Sequence, residues 1–219
     1  MNLRLRLMCA LVCAVILAGC TVCIASGIAI PGDLALVQLA VQARSEYLTI
    51  LIQALTFISS FLPALGITLA VTVVEVWRRK RLELGAVWAL AAYLGATACN
   101  IAMRVAIGRQ PPSVEYIPNA WPEPQASFQR FSFPSGHAGA ALIAYTSLLV
   151  LAWPHRVWRW VALSGAVFII GGVGFGRVYL GVHWPSDVAA GYLLAAIWLC
   201  GGLDLRDRFS AAAPRPGGA

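Results

Sequence analysis

Residues 177–203 read RVYLGVHWPSDVAAGYLLAAIWLCGGL, a short segment of ionisable and polar residues that leads directly into a long apolar run. The apolar run, 186–203, approaches the roughly 20 residues that a helix needs to cross a bilayer. The segment before it places Arg177, His183 and Asp187 at fixed offsets, with five residues between the first two and three between the last two. This stretch therefore predicts a membrane helix that carries a cluster of ionisable groups at its start.

The whole chain has the composition of a membrane protein. Of its 219 residues, 60% are hydrophobic and 11% are charged, whereas a soluble domain usually carries about 25% charged residues. The mean hydropathy is +0.77. We therefore predict an all-α polytopic membrane protein, a bundle of about six transmembrane helices that forms one domain over residues 1–209, with a disordered tail at 210–219. The six predicted spans are residues 7–29, 50–76, 83–106, 137–153, 160–176 and 186–203.

The basic residues predict the topology. A net charge of +7 is compatible with nucleic-acid binding, but the Lys and Arg residues fall beside the spans, as they do in cytoplasmic loops. They lie before the first span, after the second, between the fourth and fifth, and after the last. Both termini are then cytoplasmic, and no nucleic-acid partner is expected. The loops near 30–49, 107–136 and 177–186 fall outside, and every candidate catalytic residue lies in them or at the adjoining end of a span.

The first span is expected to remain uncleaved. Residues 17–20, which read LAGC after two arginines and an apolar run, are similar to a bacterial lipoprotein signal. The apolar run continues past them to Ile30, which favours a span that stays in the protein.

Two further segments lie on the predicted outer face. Asp33 is expected to cap a short helix in the membrane interface that runs to about Arg44. The proline-rich segment 111–133 carries aromatic residues, which are frequent at the membrane surface. This segment is therefore either a lid over the outer face or a plain connecting loop. The aromatic residues of this segment include Trp121, Phe128 and Phe131.

His183 and Asp187 are four residues apart, which places them on one face of a helical turn. In such a pair one imidazole nitrogen can attack phosphorus while the other donates to the carboxylate, which fixes the tautomer and stabilises the cation that forms. Asp187 lies in the first turn of the last span, where the helix N-terminus favours an ionised carboxylate. The alternative is structural, with an interfacial histidine beside Trp184 and an aspartate that only caps the helix.

The tetrapeptide Pro134-Ser135-Gly136-His137 opens the fourth predicted span. The first N–H groups of a helix have no partner within it, so those of Gly136 and His137 can bind an anion. The Ser135 hydroxyl adds a donor, the glycine lets an anion approach the backbone, and His137 can give a proton to a leaving oxygen. The alternative is a simple helix cap with a histidine in the first turn.

Three arginines complete the set. Arg104 and Arg177 each lie at the outer end of an apolar span, where a charge is costly and usually functional, and Arg109 follows the first of them by five residues. Guanidinium groups match phosphate oxygens in two-point fashion, so we predict that these arginines bind substrate. The alternative for each is a side chain that extends to the lipid headgroups. Because all the motif segments fall on one side of the membrane, together they predict phosphoryl transfer through a histidine nucleophile.

These motifs resemble those of the type 2 phosphatidate phosphatase superfamily, which also contains vanadium haloperoxidases and acid phosphatases. The signature of that superfamily has three parts, K-x6-R-P, P-S-G-H and S-R-x5-H-x3-D. The second part matches at residues 134–137. The third matches at Arg177, His183 and Asp187, with Gly176 in place of the serine.

The resemblance implies a role for each matched residue. His183 is the nucleophile that forms a phosphohistidine, Asp187 orients it, and His137 protonates the leaving group. The groups implied to bind the phosphoryl group are Arg177, Ser135 and the Gly136 backbone. The resemblance implies that no metal is used, and no cofactor is expected here.

The first signature part departs from the family pattern. Arg104 stands where the family has lysine, which keeps the charge but changes the shape of the donor. Pro111 stands where the family has arginine, so one cation of the phosphate site is absent from its usual place. Arg109, two residues earlier, is the expected substitute. The resemblance as a whole covers about residues 30–203, with the signature region at about 100–190.

The sequence thus predicts an integral membrane phosphatase that acts on a lipid phosphate or diphosphate at the outer face. The candidate substrates are undecaprenyl diphosphate, phosphatidate and phosphatidylglycerol phosphate, an isoprenoid phosphate and two phospholipids whose tails stay in the bilayer. The expected location is a bacterial inner membrane, with the site facing the periplasm. The alternatives are a lipid phosphotransferase of the same superfamily and a non-catalytic binder or transporter of a lipid phosphate, which Pro111 motivates.

Overall fold

The structure, a computed structural model, describes residues 3–80, 82–112 and 131–211, and these residues form eight α-helices and no β-strand. The prediction of an all-α protein is therefore confirmed. Most of the segment predicted as a lid and residues 212–219 of the predicted tail lie outside the described part, while Ser210 and Ala211 continue the last helix. The helices are α1 (Leu3–Ala25), α2 (Asp33–Gln42), α3 (Glu46–Ile58), α4 (Phe61–Arg79), α5 (Trp88–Ile107), α6 (Gly136–Ala152), α7 (Trp158–Tyr179) and α8 (Pro185–Ala211).

Five of these helices, α1, α4, α5, α7 and α8, are long and apolar enough to cross a membrane. The fourth predicted span corresponds to α6, whose 17 residues equal the lower limit for a crossing. Large apolar side chains cover the outside of the bundle; on α1, Leu7, Met8 and Leu11 are 61–65% exposed. An exterior of this kind belongs in lipid, and the protein is an integral membrane protein. The count of six crossings stays a prediction.

The second predicted span, 50–76, is two helices rather than one. α3 ends at Ile58 and α4 begins at Phe61, with two serines between them. The run is apolar on both sides of the break, so hydropathy alone joins the two helices into one span. Pro63 lies in the first turn of α4, where the missing N–H of proline costs no hydrogen bond, and with the serines it marks the boundary.

α6 lies at the centre of the bundle, where it packs against α4, α5, α7 and α8. Small residues line these contacts and let the helix backbones approach closely. The tightest approach is at Gly191 of α8, where a Cβ atom would lie 2.3 Å from the carbonyl oxygen of Ser135. This glycine therefore lets the start of α6 rest directly on α8, and it fixes the depth of the PSGH segment in the bundle.

The end of the bundle opposite the signature motifs carries a cluster of ion pairs. Glu75 of α4 is buried and pairs with Arg79 (3.1 Å) and with Arg206 of α8 (3.3 Å). At this same end Arg6 of α1 donates to the carbonyl oxygen of Leu203 (2.9 Å). The start of the first helix and the end of the last helix are therefore joined. The side of the membrane that this end faces stays a prediction.

The short helix predicted after the first span is present as α2, but the prediction about its cap was wrong. Gly32 occupies the N-cap position with a φ of +87°, and Asp33 is the first helical residue. The Asp33 carboxylate accepts the backbone N–H of Ser186 in the first turn of α8 (2.9 Å). Asp33 therefore caps α8 rather than its own helix, and it joins α2 to the segment that carries His183.

Candidate active site

Four helix ends meet at one end of the bundle, because α5 and α7 end there and α6 and α8 begin there. Hydrogen bonds tie the connecting segments to one another. The N–H of Ser135 donates to the carbonyl of Asp187 (2.9 Å), and the indole N–H of Trp184 donates to the carbonyl of Gln110 (3.0 Å). These contacts bring the three signature segments, which are far apart in the sequence, into a single site.

His183 and Asp187 face each other in the interior of this site. His183 Nδ1 lies 3.6 Å from Asp187 Oδ2, and the two side chains are almost completely buried. The distance exceeds that of a hydrogen bond, but catalytic hydrogen bonds are often long without substrate and shorten in the complex. The N–H of His183 points to the carbonyl of Arg177 (3.3 Å). Gly181 makes this turn possible with a φ of +79°, a conformation that glycine adopts without strain.

The Asp187 carboxylate has a protein partner on each oxygen. Oδ2 accepts the backbone N–H of Trp184 (2.8 Å), just before α8, and Oδ1 accepts from Arg109 (2.5 Å). An acid in the first turn that binds back to the N–H preceding the helix forms half of a capping box. The carboxylate is therefore fixed before any substrate binds, which suits a group that orients a histidine.

The pKa of His183 is lowered from the ordinary 6.5 to about 4. Burial is the largest cause, because it disfavours the charged form. Asp187 raises the pKa, while the charges of Arg177 and Arg104 lower it. The imidazole is therefore neutral near pH 7. Since Nδ1 faces Asp187, Nε2 is the nitrogen that remains for a substrate.

The start of α6 supplies the second histidine and a set of hydrogen-bond donors. His137 lies in the first turn, where backbone N–H groups have no partner within the helix. Ser135 is completely buried, and its hydroxyl has no hydrogen-bond partner among the described residues. A buried hydroxyl without a partner is costly, so this group fits a site that receives a polar ligand. At Gly136 a Cβ atom would lie 3.3 Å from Asn100 Oδ1, and a larger residue would crowd the same space.

Arg104 and Arg177 lie beside the two histidines, near enough for their charges to act on both imidazoles. Arg177 is buried at the end of α7. Arg104 Nε donates to the carbonyl of Pro134 (3.2 Å) in the PSGH segment. Two of the three predicted phosphate-binding arginines therefore converge on the histidines. In the described part of the chain no group of three or more His, Cys, Asp or Glu residues is arranged to hold a metal ion.

Arg109 is placed differently from its predicted role as the substitute phosphate-binding arginine. Its guanidinium donates to Asp187 Oδ1 (2.5 Å), to Ser186 Oγ (2.7 Å) and to Asp33 Oδ2 (2.7 Å). It also lies over the ring of Trp184, with 5.3 Å between the guanidinium carbon and the ring centroid. Three of the five guanidinium N–H groups are thereby used within the protein. The geometry favours a role of Arg109 in supporting Asp187, and its direct contact with substrate stays a prediction.

The sequence reasoning missed Asp33 and Ser186 as parts of this site. Both side chains are buried, and both bind Arg109. A signal was available, because Asp33 is one of only nine acidic residues in the chain and falls in a predicted outer loop. The local pattern indicated a helix cap instead, since the partner that Asp33 caps is 153 residues away.

A cavity of about 420 Å³ opens beside His137 and extends between α4, α5, α6 and α8. Its volume lies within the range of ligand pockets, about 300–1,000 Å³. His137 and Arg104 line the end of the cavity at the site, and most of the remaining wall is apolar. Such a cavity fits an amphiphilic molecule, with the polar group at His137 and Arg104. The apolar wall includes Phe61, Tyr93, Ile101, Ala140, Ile143 and Leu194.

The chain matches a known family. The PAP2 superfamily matches residues 85–209, which is more than half of the chain, and this protein belongs to the PAP2 superfamily. The resemblance noted in the sequence is thereby confirmed. A crystal structure of the first transmembrane PAP2 type phosphatidylglycerolphosphate phosphatase, from Bacillus subtilis, has the same fold. Its TM-score is 0.69 at 23% identity, over 93% of this chain and 98% of that one.

Two curated relatives are similar to this chain over a shorter stretch. An undecaprenyl-diphosphatase of Sulfolobus acidocaldarius is 43% identical over 70 residues, which are 32% of this chain and 30% of that protein. A putative undecaprenyl-diphosphatase of Escherichia coli, YbjG, is 41% identical over 66 residues, which are 30% of each protein. The matched stretch spans about 30% of the length of each curated relative.

Proposed function

We propose that this protein is an integral membrane phosphatase that removes a phosphoryl group from a lipid phosphate or diphosphate through a phosphohistidine on His183. The observation that carries the proposal is the buried, neutral imidazole of His183, which faces a fixed carboxylate and lies among a second histidine and two arginines. Membership of the PAP2 superfamily supports it. The names of the relatives support the same class of substrate.

In this proposal the reaction has two steps. His183 Nε2 attacks the terminal phosphorus, and the bond from that phosphorus to the oxygen of the leaving group breaks. The leaving group is the lipid alcohol of a monophosphate or the lipid monophosphate of a diphosphate, and His137 gives its oxygen a proton. Asp187 stabilises the imidazole cation that results. A water then attacks the phosphohistidine and loses a proton to His137, the N–P bond breaks, and inorganic phosphate leaves. The groups that hold the phosphoryl oxygens are Arg104, Arg177, the Ser135 hydroxyl and the backbone N–H groups at Gly136 and His137.

The cavity beside His137 supports a lipid as the substrate. Its polar part lies at the proposed proton donor, and its apolar wall runs along the membrane-spanning helices. A substrate tail in this cavity would contact apolar side chains while the phosphate stays at the histidines. Undecaprenyl diphosphate, phosphatidate and phosphatidylglycerol phosphate all meet this requirement, and both curated relatives are named for the first of them.

Ala140→Phe should separate lipid hydrolysis from phosphate chemistry. Ala140 lines the cavity one turn after His137, so a phenyl ring there would occupy the space proposed for the tail. We expect KM for a lipid phosphate to rise about tenfold or more, the scale of a misfit in an apolar pocket. Hydrolysis of soluble p-nitrophenyl phosphate should stay near the wild-type rate. The control is Leu148→Phe, on the outer face of the same helix. Equal losses on both substrates would mean that His137 had moved.

The low pKa of His183 should appear in the pH profile. The nucleophile must be neutral, and its pKa is about 4, whereas an ordinary histidine titrates near 6.5. We therefore expect kcat/KM to show no loss from His183 protonation as the pH falls from 7 to about 5, and to decline through about pH 4. The measurement is phosphate release across this range, corrected for the titration of the substrate. A decline centred near pH 6.5 would contradict a buried, neutral nucleophile.

We propose that the site faces the outside of a bacterial inner membrane. The loops at the opposite end of the bundle carry most of the basic residues, as cytoplasmic loops do. In a cysteine-free background, a cysteine introduced at His155 should be protected from an impermeant maleimide in intact cells. A cysteine at Ile28 should be labelled. The reverse pattern would invert the proposed topology. The basic residues at the end of the bundle opposite the site include Arg78, Arg79, Lys80, Arg156 and Arg159.

The function is tested by phosphate release from purified protein in detergent, with EDTA present. The substrates are undecaprenyl diphosphate, phosphatidate and phosphatidylglycerol phosphate. Phosphate release that persists with EDTA present would support the proposal, and the relative rates would rank the three substrates. Transfer of the phosphoryl group to a second lipid would identify a phosphotransferase. Binding of the lipids without release or transfer would contradict an enzyme, and Pro111 would then be the first residue to examine.

A further inference from the structure

Asp33 is a buried carboxylate outside all three signature motifs, yet it contacts two of the segments that form the site. Oδ1 accepts the backbone N–H of Ser186 (2.9 Å). Oδ2 accepts the Ser186 hydroxyl (2.6 Å) and Arg109 Nη2 (2.7 Å). Only 6% of the residue is exposed. A buried carboxylate is costly unless it is paired, and all of the pairing of Asp33 is directed to groups that touch Asp187 or adjoin it.

Arg109 connects the two carboxylates. Its Nη2 binds Asp33 and its Nη1 binds Asp187 (2.5 Å), so the guanidinium lies between them. The cluster of Asp33, Arg109 and Asp187 carries one net negative charge. Without Asp33, the charge of Arg109 would cancel that of Asp187, and the carboxylate would have less negative charge to offer His183. In a buried site the effective dielectric constant is low, and such a change acts strongly on a neighbouring imidazole.

We propose that Asp33 is a positioning residue for the nucleophile: it balances the charge of Arg109, and so leaves the cluster with the net negative charge that orients His183 and stabilises its cation. This inference rests on the proposed phosphatase function. It also bears on Pro111, which stands where the family has a phosphate-binding arginine. In this proposal Arg109 does not replace that arginine, because it binds the Asp187 carboxylate and not the phosphoryl group. The reacting phosphoryl group is then held by Arg104 and Arg177.

The alternative is that Asp33 is only a cap that fastens α8 to α2. Asp33→Asn separates the two roles, because asparagine keeps the shape and can still accept the Ser186 N–H but carries no charge. Loss of a group that supports a metal-bound histidine from behind typically costs about 10- to 100-fold, and we take the same scale for the carboxylates behind His183. We therefore expect kcat for Asp33→Asn to fall by about this factor with little change in KM. Asp33→Glu, which restores the charge, should recover part of the loss.

A double-mutant cycle distinguishes charge balance from a purely structural role of Asp33. Asp33→Asn makes the cluster neutral, Arg109→Gln makes it doubly negative, and the double variant returns it to a single negative charge. If charge balance is the cause, the double variant will be more active than Asp33→Asn alone. If Asp33 is only a cap, removal of Arg109 will add a further loss. The matched control is Glu46→Gln, an exposed acid in the first turn of α3, which should leave kcat unchanged.

A second readout does not depend on turnover. The chain has three histidines, so the His183 titration can be followed by ¹⁵N NMR. Arg109→Gln adds negative charge near the imidazole and should raise the pKa of His183, and the double variant should return it toward the wild-type value. An unchanged kcat in Asp33→Asn, or a double variant less active than Asp33→Asn, would overturn the proposal for Asp33. If the wild-type protein releases no phosphate, the phosphatase function fails, and the NMR cycle alone decides the role of Asp33.

Discussion

Phosphate release is expected to fall by about 10⁶-fold, to the background rate, when His183 is replaced by alanine. Loss of the nucleophile in a covalent mechanism has an effect of this size, because the groups that remain can only hold the substrate. Binding should persist, since Arg104, Arg177 and the start of α6 are retained. The measurement is phosphate release from the substrate that the wild-type protein prefers, together with equilibrium binding of the same lipid.

The control for this variant is His155→Ala. His155 is exposed in the turn between α6 and α7, at the end of the bundle opposite the site, and its loss should leave the rate unchanged. Thermal unfolding in detergent should show both variants folded. If His183→Ala released phosphate at the wild-type rate, the histidine mechanism would be excluded even though the protein belongs to the PAP2 superfamily.

Asp187→Asn is expected to lower kcat by about 10³- to 10⁴-fold with little change in KM. In catalytic triads the equivalent change leaves the geometry intact but stabilises the wrong tautomer of the histidine. Here the introduced asparagine could still accept the N–H of Trp184 through its amide oxygen, so the cap at the start of α8 is kept. The same oxygen position faces His183, where a neutral amide oxygen would stabilise the imidazole cation less than the carboxylate does. The NH₂ group would then replace Oδ1 and oppose the donor Arg109.

This substitution separates the catalytic role of Asp187 from the purely structural alternative. A helix cap survives the change to asparagine, so a variant with normal kcat would show that Asp187 only caps α8. The matched control is Asp204→Asn, which removes an acid from the other end of the same helix, where it pairs with Arg208 (2.6 Å). Single-turnover measurements should locate the loss in the formation of the phosphohistidine, the step in which the imidazole becomes cationic.

The groups proposed for catalysis could be predicted from the sequence because each lies in a short motif whose spacing is a local geometry. The offset of four between His183 and Asp187 becomes a facing pair at the start of α8. The PSGH segment becomes the start of α6. The apolar blocks predicted most of the helices for a similar reason, since the length of a run depends only on neighbouring residues. The roles of these groups remain to be tested by the variants described above.

The parts that the sequence did not predict depend on contacts between distant segments. Asp33 had the pattern of a cap for the helix that follows it, and only the packing of α2 against α8 directs its carboxylate to Ser186 and Arg109. Arg109 had the charge expected of a phosphate ligand, and its hydrogen bonds to Asp33 and Asp187 could not be predicted, because these carboxylates come from other segments. The break between α3 and α4 could not be predicted for another reason. Hydropathy depends on composition alone, and the run stays apolar where one helix ends and the next begins.

The charged groups at the two ends of α8 also define a length. Asp187 lies in its first turn, and Arg206, which pairs with Glu75, lies nineteen positions later. At a rise of 1.5 Å per residue these positions are about 29 Å apart along the helix axis, close to the roughly 30 Å thickness of the bilayer hydrocarbon. Ions are costly within that layer. A shift of the helix along the membrane normal would move one of these charged groups into the hydrocarbon, so the depth of the helix is fixed. If His183 is the nucleophile, as proposed, this spacing places it near the level of the headgroups, where a lipid phosphate can reach it by lateral diffusion within its own leaflet.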